Sequence, residues 1–138
     1  MNAKILSGIG LLAVLVCLLS FGKNSLNTTH QVKKGMIKVT ILYPNAEGKK
    51  FDMDYYSTKH MPMVASLLGD SLKFYEIDKG LSGRTPADPA PYAAIGYFYF
   101  DRLSAYTNSF APHAQKVRSD IPNYTDIQPV ILVSEVIH

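Results

Sequence analysis

Alternation of apolar and polar residues with a period of two predicts four β-strands along the chain. In the first strand, Ile37 and Val39 alternate with Lys38 and Thr40, and the turn-forming Pro44 follows directly. The third strand is dense in aromatic and small residues, which favour a pleated and buried surface. The predicted strands are residues 36–43, 71–80, 92–100 and 127–138.

Apolar residues spaced three and four positions apart predict two amphipathic helices between these strands. In the first helical stretch, 51–69, Asp52 is placed to cap the N-terminus, and Phe51 before it is placed to staple onto Tyr56. Pro62 lacks the amide hydrogen that the helical ladder requires. We therefore expect this helix to bend or restart just before the proline and to stop at its final glycine.

The second helix is predicted over residues 102–119, with an interruption at Pro112. Residues 81–91, which contain three prolines and one glycine, are predicted to form a mobile loop. The resulting order is strand, helix, strand, strand, helix, strand. This order predicts an α+β fold of the ferredoxin-like βαββαβ kind, in which a four-stranded antiparallel sheet carries both helices on one face.

Both faces of the predicted sheet carry apolar residues. In strand 92–100 the two alternating sets of residues are largely apolar, and residues 130–133 are apolar on both sides as well. A sheet with two apolar faces needs two covers, and the helices supply only one. Because symmetric dimers are the commonest oligomers, the sequence predicts a homodimer in which a second copy covers the other face.

The N-terminal residues have the layout of an export signal. A single positive charge at Lys4 precedes an uncharged, mostly apolar run over 5–21, and residues 1–22 are interpreted as a signal peptide. An uncleaved membrane anchor is the alternative, because this run of 17 residues is at the short limit of the roughly 17 to 25 that span a bilayer. The polar stretch 23–35 is predicted to be a flexible linker to a domain over 36–138. An exported protein, periplasmic or extracellular, is therefore expected.

Composition excludes several classes of function. The 14 basic and 11 acidic residues give a net charge of +3, and they are too balanced for a nucleic-acid-binding protein. The single cysteine, Cys17, precedes the predicted domain, which therefore has no disulfide or thiol chemistry. A metal site needs three or four converging ligands, and the sequence around the histidines offers no such set. We expect no metal and no other cofactor.

His60 is the best candidate for chemistry in the sequence. Its helix face is otherwise apolar or aromatic and comprises Met53, Tyr56, His60, Val64 and Leu67. One interpretation is a core histidine bound to a backbone carbonyl. The other is a general acid/base beside the Tyr56 phenol, because an imidazole titrates near working pH.

Two further residues are candidates for ligand binding beside Tyr56. Tyr43 ends the first strand and either lines a pocket with His60 or only packs. Lys59 is either a solvated surface lysine or an anion contact at the pocket mouth. Asp120, Asn123 and Tyr124 are interpreted as parts of the turn before the last strand.

Three stretches resemble the EthD family, which is named after ethyl tert-butyl ether degradation and lies within the dimeric α+β barrel superfamily. They are "MIKVTILYPN", "FDMDYYSTKHMP" and "DIPNYTDIQPVILVSEV". The most specific element is the pair Tyr55 and Tyr56 followed by Lys59, His60 and Pro62. The resemblance implies a ferredoxin-like fold, two sheets packed face to face across a dimer, and a pocket in each subunit between sheet and helices.

The resemblance implies several functions and selects none of them. The first is a cofactor-independent enzyme, an oxidoreductase or a lyase, in which His60 moves a proton on a small cyclic or aromatic substrate during degradation of organic compounds. The second is a non-catalytic protein that binds a small apolar ligand in the same pocket. The third is haem binding or haem breakdown, with His60 as the axial ligand.

Overall fold

The computed structural model describes residues 30–138, in which one four-stranded sheet is packed against two helical segments. The strands are β1 (Ile37–Pro44), β2 (Phe74–Lys79), β3 (Tyr92–Phe100) and β4 (Val130–Glu135). The helices are α1 (Met53–Tyr55), α2 (Met61–Leu68), α3 (Leu103–Phe110) and α4 (Ala114–Asp120). One π-helical turn (Tyr56–His60) and three 3₁₀ turns (Gly69–Ser71, Ala111–His113 and Ile121–Asn123) join or end them.

The sheet confirms the predicted fold class. Its strand order is β2-β3-β1-β4, and all neighbouring strands are antiparallel. Val39 at the centre of β1 lies opposite Phe98 of β3 and Val133 of β4. Each helical segment therefore connects two strands that lie on either side of a third, which is the split β-α-β arrangement of a ferredoxin-like fold.

The face of the sheet towards the helices carries the core. Val39 and Tyr43 of β1 and Phe98 and Phe100 of β3 are buried there, together with Val64 from α2. Strand residues alternate between the two faces, so the neighbours of these residues point the other way. The helix-facing set is the one on which any site between sheet and helices must be built.

The opposite face, which we call the open face, is only partly apolar. Leu132 of β4 is 55% exposed there. Charged residues of β2 share this face. The hydroxyl of Tyr99 donates a hydrogen bond to Glu76 at 2.9 Å. Burial and, to a smaller extent, Asp78 raise the pKa of Tyr97 to about 12. The sequence prediction of two apolar faces is therefore accurate for β3 and most of β4, but not for β1, which places Lys38 and Thr40 on the open face, or for β2.

The first helical segment follows its predicted capping and break. The Asp52 carboxylate accepts a hydrogen bond from the amide of Tyr55, and the ring of Phe51 lies 5.1 Å from that of Tyr56, as expected of a cap and a staple. The π-helical turn ends at His60, and α2 then restarts with Pro62 in its first turn. Proline fits there because its missing amide hydrogen is not needed by the first turn of a helix.

The second helical segment is interrupted where the sequence predicts. Pro112 lies in the 3₁₀ turn Ala111–His113 between α3 and α4. The last residue of α4, Asp120, is followed by another 3₁₀ turn that contains Pro122. This turn brings Asp120 and the residues after it back towards the first helical segment.

The predicted signal peptide or anchor, residues 1–22, and most of the linker 23–35 lie outside the described residues. The end of that linker contacts the domain: the ring of His30 stacks on Phe74 at 5.1 Å, and the amide of Gly35 donates to the carbonyl of Val136 at 2.8 Å. Within residues 30–138, no helix combines the length and the apolar character needed to cross a membrane.

Candidate functional site

A cavity of about 130 Å³ lies between the sheet and both helical segments. Most of its wall is aliphatic or aromatic, and four of its residues have polar side-chain groups: Tyr43, His60, Tyr106 and Arg118. The apolar wall includes Val39, Val64, Phe98, Tyr106 with its aromatic ring, Phe110 and Ile131. This is the pocket between sheet and helices that the resemblance implies.

His60 is held in the cavity wall by a carboxylate. His60 is only 4% exposed, and its Nδ1 lies 2.8 Å from Oδ2 of Asp120 at the end of α4. The other carboxylate oxygen accepts hydrogen bonds from the Tyr55 hydroxyl at 2.9 Å and from the Asn123 amide at 2.8 Å. The sequence interpretation of a histidine bound to a backbone carbonyl is therefore wrong, because its partner is an acidic side chain.

The second ring nitrogen of His60 meets a pair of tyrosines. Its Nε2 lies 3.3 Å from the hydroxyl of Tyr124, and that hydroxyl lies 2.6 Å from the hydroxyl of Tyr43. An ionised Asp120 accepts a hydrogen bond from Nδ1–H, which places the lone pair of the neutral imidazole on Nε2. Tyr124 therefore donates towards Nε2 and accepts from Tyr43. This chain of hydrogen bonds connects the imidazole of His60 with the phenol of Tyr43, and both residues line the cavity.

Burial and hydrogen bonding set the protonation states at neutral pH. Burial lowers the pKa of His60, and the neighbouring Asp120 opposes part of this effect. Burial alone would raise the pKa of Asp120, but hydrogen bonds from His60, Asn123 and Tyr55 outweigh it and lower that pKa. The site therefore combines a neutral imidazole with an ionised carboxylate.

The two tyrosines of this chain remain protonated. Burial is the largest effect on both, and it raises the pKa of Tyr43 and that of Tyr124 above the ordinary phenol value. For Tyr43, the hydrogen bond with Tyr124 opposes part of this effect, whereas Tyr43 and Asp120 raise the pKa of Tyr124 further. Both hydroxyls thus act as neutral donors and acceptors.

Tyr56 supports the cavity from behind and does not line it. Its ring stacks on His60 at 5.7 Å and meets the ring of Tyr43 edge-on at 5.4 Å. The residue is 1% exposed, and its hydroxyl has no hydrogen-bond partner among residues 30–138. That hydroxyl lies against Gly96 of β3, so close that a Cβ atom there would collide with it. A glycine at this strand position is what admits the phenol.

The structure brings together three of the four residues that sequence reasoning singled out for the site: His60 and Tyr43 in the cavity wall, and Tyr56 behind them. Lys59 is exposed and is not part of the cavity wall. It follows Thr58 on the outer side of the π-helical turn, whereas its neighbour His60 is directed inwards. The binding roles of Tyr43, Tyr56 and Lys59 and the catalytic role of His60 remain predictions.

Sequence reasoning missed Asp120 and Tyr124, which were interpreted as turn residues. Their signal was present in the stretch "DIPNY", where a carboxylate, an amide and a phenol fall within five residues of one another. A turn requires only the proline and asparagine of that stretch. The additional acid and phenol were the indication that the turn also carries chemistry.

A larger and shallower hollow of about 720 Å³ lies on the surface beside the site. It is lined by Lys50, Phe51, Asp52, Ile121, Pro122, Asn123, Tyr124, Thr125, Asp126 and Gln128. Tyr124 and Ile121 separate it from the inner cavity, since Ile121 lines both spaces and Tyr124 contacts His60. No group of three histidine, cysteine, aspartate or glutamate residues in the part of the chain that the structure describes is arranged to hold a metal ion.

Comparison with known proteins agrees with this architecture. The EthD domain matches residues 46–128. A solved structure of an EthD-like protein from Ralstonia eutropha JMP134 is 40% identical, covers 77% of this chain and 96% of its own, and superposes with a TM-score of 0.73. The chain belongs to the EthD domain family. The match includes His60, Asp120 and Tyr124.

A second solved structure, an ethyl tert-butyl ether degradation (EthD) family protein from Bacillus halodurans C-125, shares the fold of this EthD-domain protein. It is 13% identical, covers 72% of this chain and 97% of its own, and has a TM-score of 0.52. At that identity the likeness bears on the fold alone. No curated protein is significantly similar to the chain.

Proposed function

We propose that this EthD-domain protein is a cofactor-independent enzyme in which His60 transfers protons on a small cyclic or aromatic substrate. The observation that carries the proposal is the buried pair of His60 and Asp120 at the wall of an apolar cavity. A histidine kept only for packing does not need an ionised partner. A catalytic base does, because the carboxylate orients the imidazole and stabilises the imidazolium that forms.

The mechanism begins with the neutral imidazole. The substrate displaces the Tyr124 hydroxyl from Nε2 of His60. Nε2 then takes a proton from an acidic C–H or O–H of the substrate, and the positive charge that develops is balanced by Asp120 2.8 Å away. The Tyr43 hydroxyl belongs to the wall of the same cavity, and on substrate binding it turns from Tyr124 to donate its hydrogen bond to the substrate oxygen on which negative charge accumulates. Return of the proton from His60 to a hydroxyl group on the neighbouring carbon breaks that C–O bond, so that water leaves and a C=C bond forms, which completes a dehydratase type of reaction.

The cavity limits the size of the substrate. An apolar protein cavity of about 150 Å³ holds one benzene molecule, and the cavity beside His60 has about 130 Å³. A single ring fills it, with further substituents extending towards solvent. A haem macrocycle is far larger than this space, so the geometry does not favour the haem alternative.

Non-catalytic binding of a small apolar ligand is the second candidate, and the predominantly apolar wall favours it. Both candidates require a ring in the cavity, but only the enzyme requires proton transfer. Native mass spectrometry of the purified protein would identify a retained ligand. Proton transfer then separates the two functions.

The deciding experiment measures deuterium incorporation. Cyclohexanone, a single-ring carbon acid, is incubated with protein in D₂O, and loss of its α-proton signals is followed by NMR. We expect exchange above the uncatalysed rate, and a fall of about 100-fold in the catalysed part for His60→Asn, the usual scale for losing a general base. His113→Asn is the matched control, because His113 lies in a 3₁₀ turn outside the cavity wall. Tight binding of the ring without exchange would support the binding protein instead.

A further inference from the structure

We propose that Arg118 selects substrates that carry a carboxylate on the ring. This inference rests on the proposed function, since it assigns a substrate class to the same cavity. It starts from the composition of the cavity wall, in which Arg118 is the only residue with a permanent charge. A guanidinium at this place offers a bound ring a cationic partner that the other residues of the wall do not supply.

Arg118 combines exposure to solvent with a place in the cavity wall. The residue is exposed and lies in the last turn of α4, yet its side chain forms part of the wall that also contains His60. A ligand that fills about 130 Å³ between these walls is in contact with both the buried and the exposed side of the cavity. The inner end of the ligand then meets the imidazole and its outer end meets the guanidinium.

Arg118 has no acidic partner within residues 30–138. The ion pairs there join Lys49 to Asp126, His60 to Asp120 and Lys73 to Asp101. Asp120, only two residues further along the chain, is directed to His60 and receives three side-chain donors. The guanidinium therefore keeps its donors available for an anion from outside.

The chemistry of arginine selects the kind of anion. The planar guanidinium presents parallel N–H groups that match the two oxygens of a carboxylate. A cation in the last turn of a helix also interacts favourably with the helix dipole, and the arginine stem covers apolar surface. Those two roles do not depend on a ligand, so ligand binding distinguishes them from the proposed one.

The test uses two probes of nearly equal shape, benzoate and benzamide, and measures their affinities by isothermal titration calorimetry at pH 7. We expect benzoate to bind at least 10-fold more tightly than benzamide to the wild-type protein. Arg118→Gln should abolish this preference, because it weakens benzoate binding much more than benzamide binding. Arg102→Gln is the matched control, because Arg102 is exposed and precedes α3 outside the cavity wall, and it should keep the preference.

The other outcomes overturn one claim or both. Equal binding of the two probes by the wild-type protein would refute selection by Arg118 and leave the ring-binding cavity in place. Loss of both probes in Arg118→Gln would show that the residue serves packing. If neither probe binds the wild-type protein, the single-ring cavity of the proposed function fails together with the role of Arg118.

Discussion

His60 and Asp120 stand 60 residues apart in the sequence and meet at 2.8 Å in the fold. Each comes from the end of a helical turn or helix: His60 closes the π-helical turn, and Asp120 closes α4. Neither helical segment places the pair alone, because the contact requires both segments to pack on the same sheet face. The hydrogen bond between His60 and Asp120 therefore forms only when the whole domain is folded.

Replacement of Asp120 by asparagine tests the electrostatic part of this contact. The carboxylate opposes the effect of burial on His60, so its loss should lower the pKa of His60 further. NMR titration of the imidazole signals measures that change directly. Catalysed deuterium exchange should also fall, by about 10-fold or more, because the imidazolium loses its counter-charge. A pKa of His60 that stays the same or rises in Asp120→Asn would contradict the assignment.

The lowered pKa of His60 predicts how stability depends on pH. The folded state holds the imidazole neutral below its ordinary pKa of about 6.5, so the unfolded state binds more protons in that range. The free energy of unfolding should therefore fall as pH drops from about 6.5 towards the folded pKa of His60, by at most about 1.4 kcal/mol per pH unit for one proton.

Urea denaturation of the wild type and of His60→Asn at several pH values between 5 and 8 checks this dependence. Asparagine keeps a donor near the position of Nδ1 and does not titrate, so its curve should be flatter below pH 6.5. Parallel curves for the two proteins would show that His60 is not the group responsible.

Tyr56 and Gly96 should be energetically coupled. Tyr56→Phe removes a buried hydroxyl that lacks a partner among the described residues, so stability should change by less than about 1 kcal/mol or increase. Gly96→Ala should cost about 1–3 kcal/mol, because the new Cβ collides with that hydroxyl.

The double variant completes the cycle, with unfolding free energies measured by urea denaturation. Gly96→Ala should cost clearly less in the Tyr56→Phe background, since the closest atom has been removed. Additive effects would mean that the phenol already moves away from the strand in solution.

The open face should bind a second copy of the chain. We expect a stable dimer at micromolar concentration in analytical ultracentrifugation, and Leu132→Lys should shift it towards monomer by burying a charge in the interface. Leu103→Lys is the control: this side chain is 53% exposed, against 55% for Leu132, but lies in α3 on the other side of the sheet. A monomeric wild type, or equal effects of the two variants, would refute the face-to-face dimer.

Residues 1–22 should direct export and be removed. Intact-mass measurement of protein from its native host should find a chain that begins near Lys23. A full-length chain recovered with the membrane fraction would instead support the anchor.

The order of elements could be predicted from the sequence because each has its own period and its own stop signal. Strand ends were predicted less well: β2 begins at Phe74 and not at residue 71, since Ser71 belongs to a 3₁₀ turn after α2. The last strand begins at Val130 and not at residue 127, because Pro129 has no amide hydrogen to donate to a sheet.

Only those contacts of the site that join residues close together in the sequence could be predicted. His60 and its stacking on Tyr56 follow from spacing along one helical segment. Its contacts with Asp120 and Tyr124 depend on how two distant segments pack, and periodicity along one segment contains no information on that. The orphaned hydroxyl of Tyr56 was likewise outside the reach of the pattern, because it depends on the glycine opposite.

The orientation of His60 depends on the number of residues in the π-helical turn as well as on their types. A residue in an α-helix turns by about 100° relative to its neighbour. Deletion of one codon between those for Tyr56 and Met61 would allow regular α-helical bonding, but it would rotate the ring cluster around Tyr56 and the imidazole out of their present alignment. Deletion of Thr58 is therefore expected to give a domain that folds but in which His60 is no longer oriented for activity.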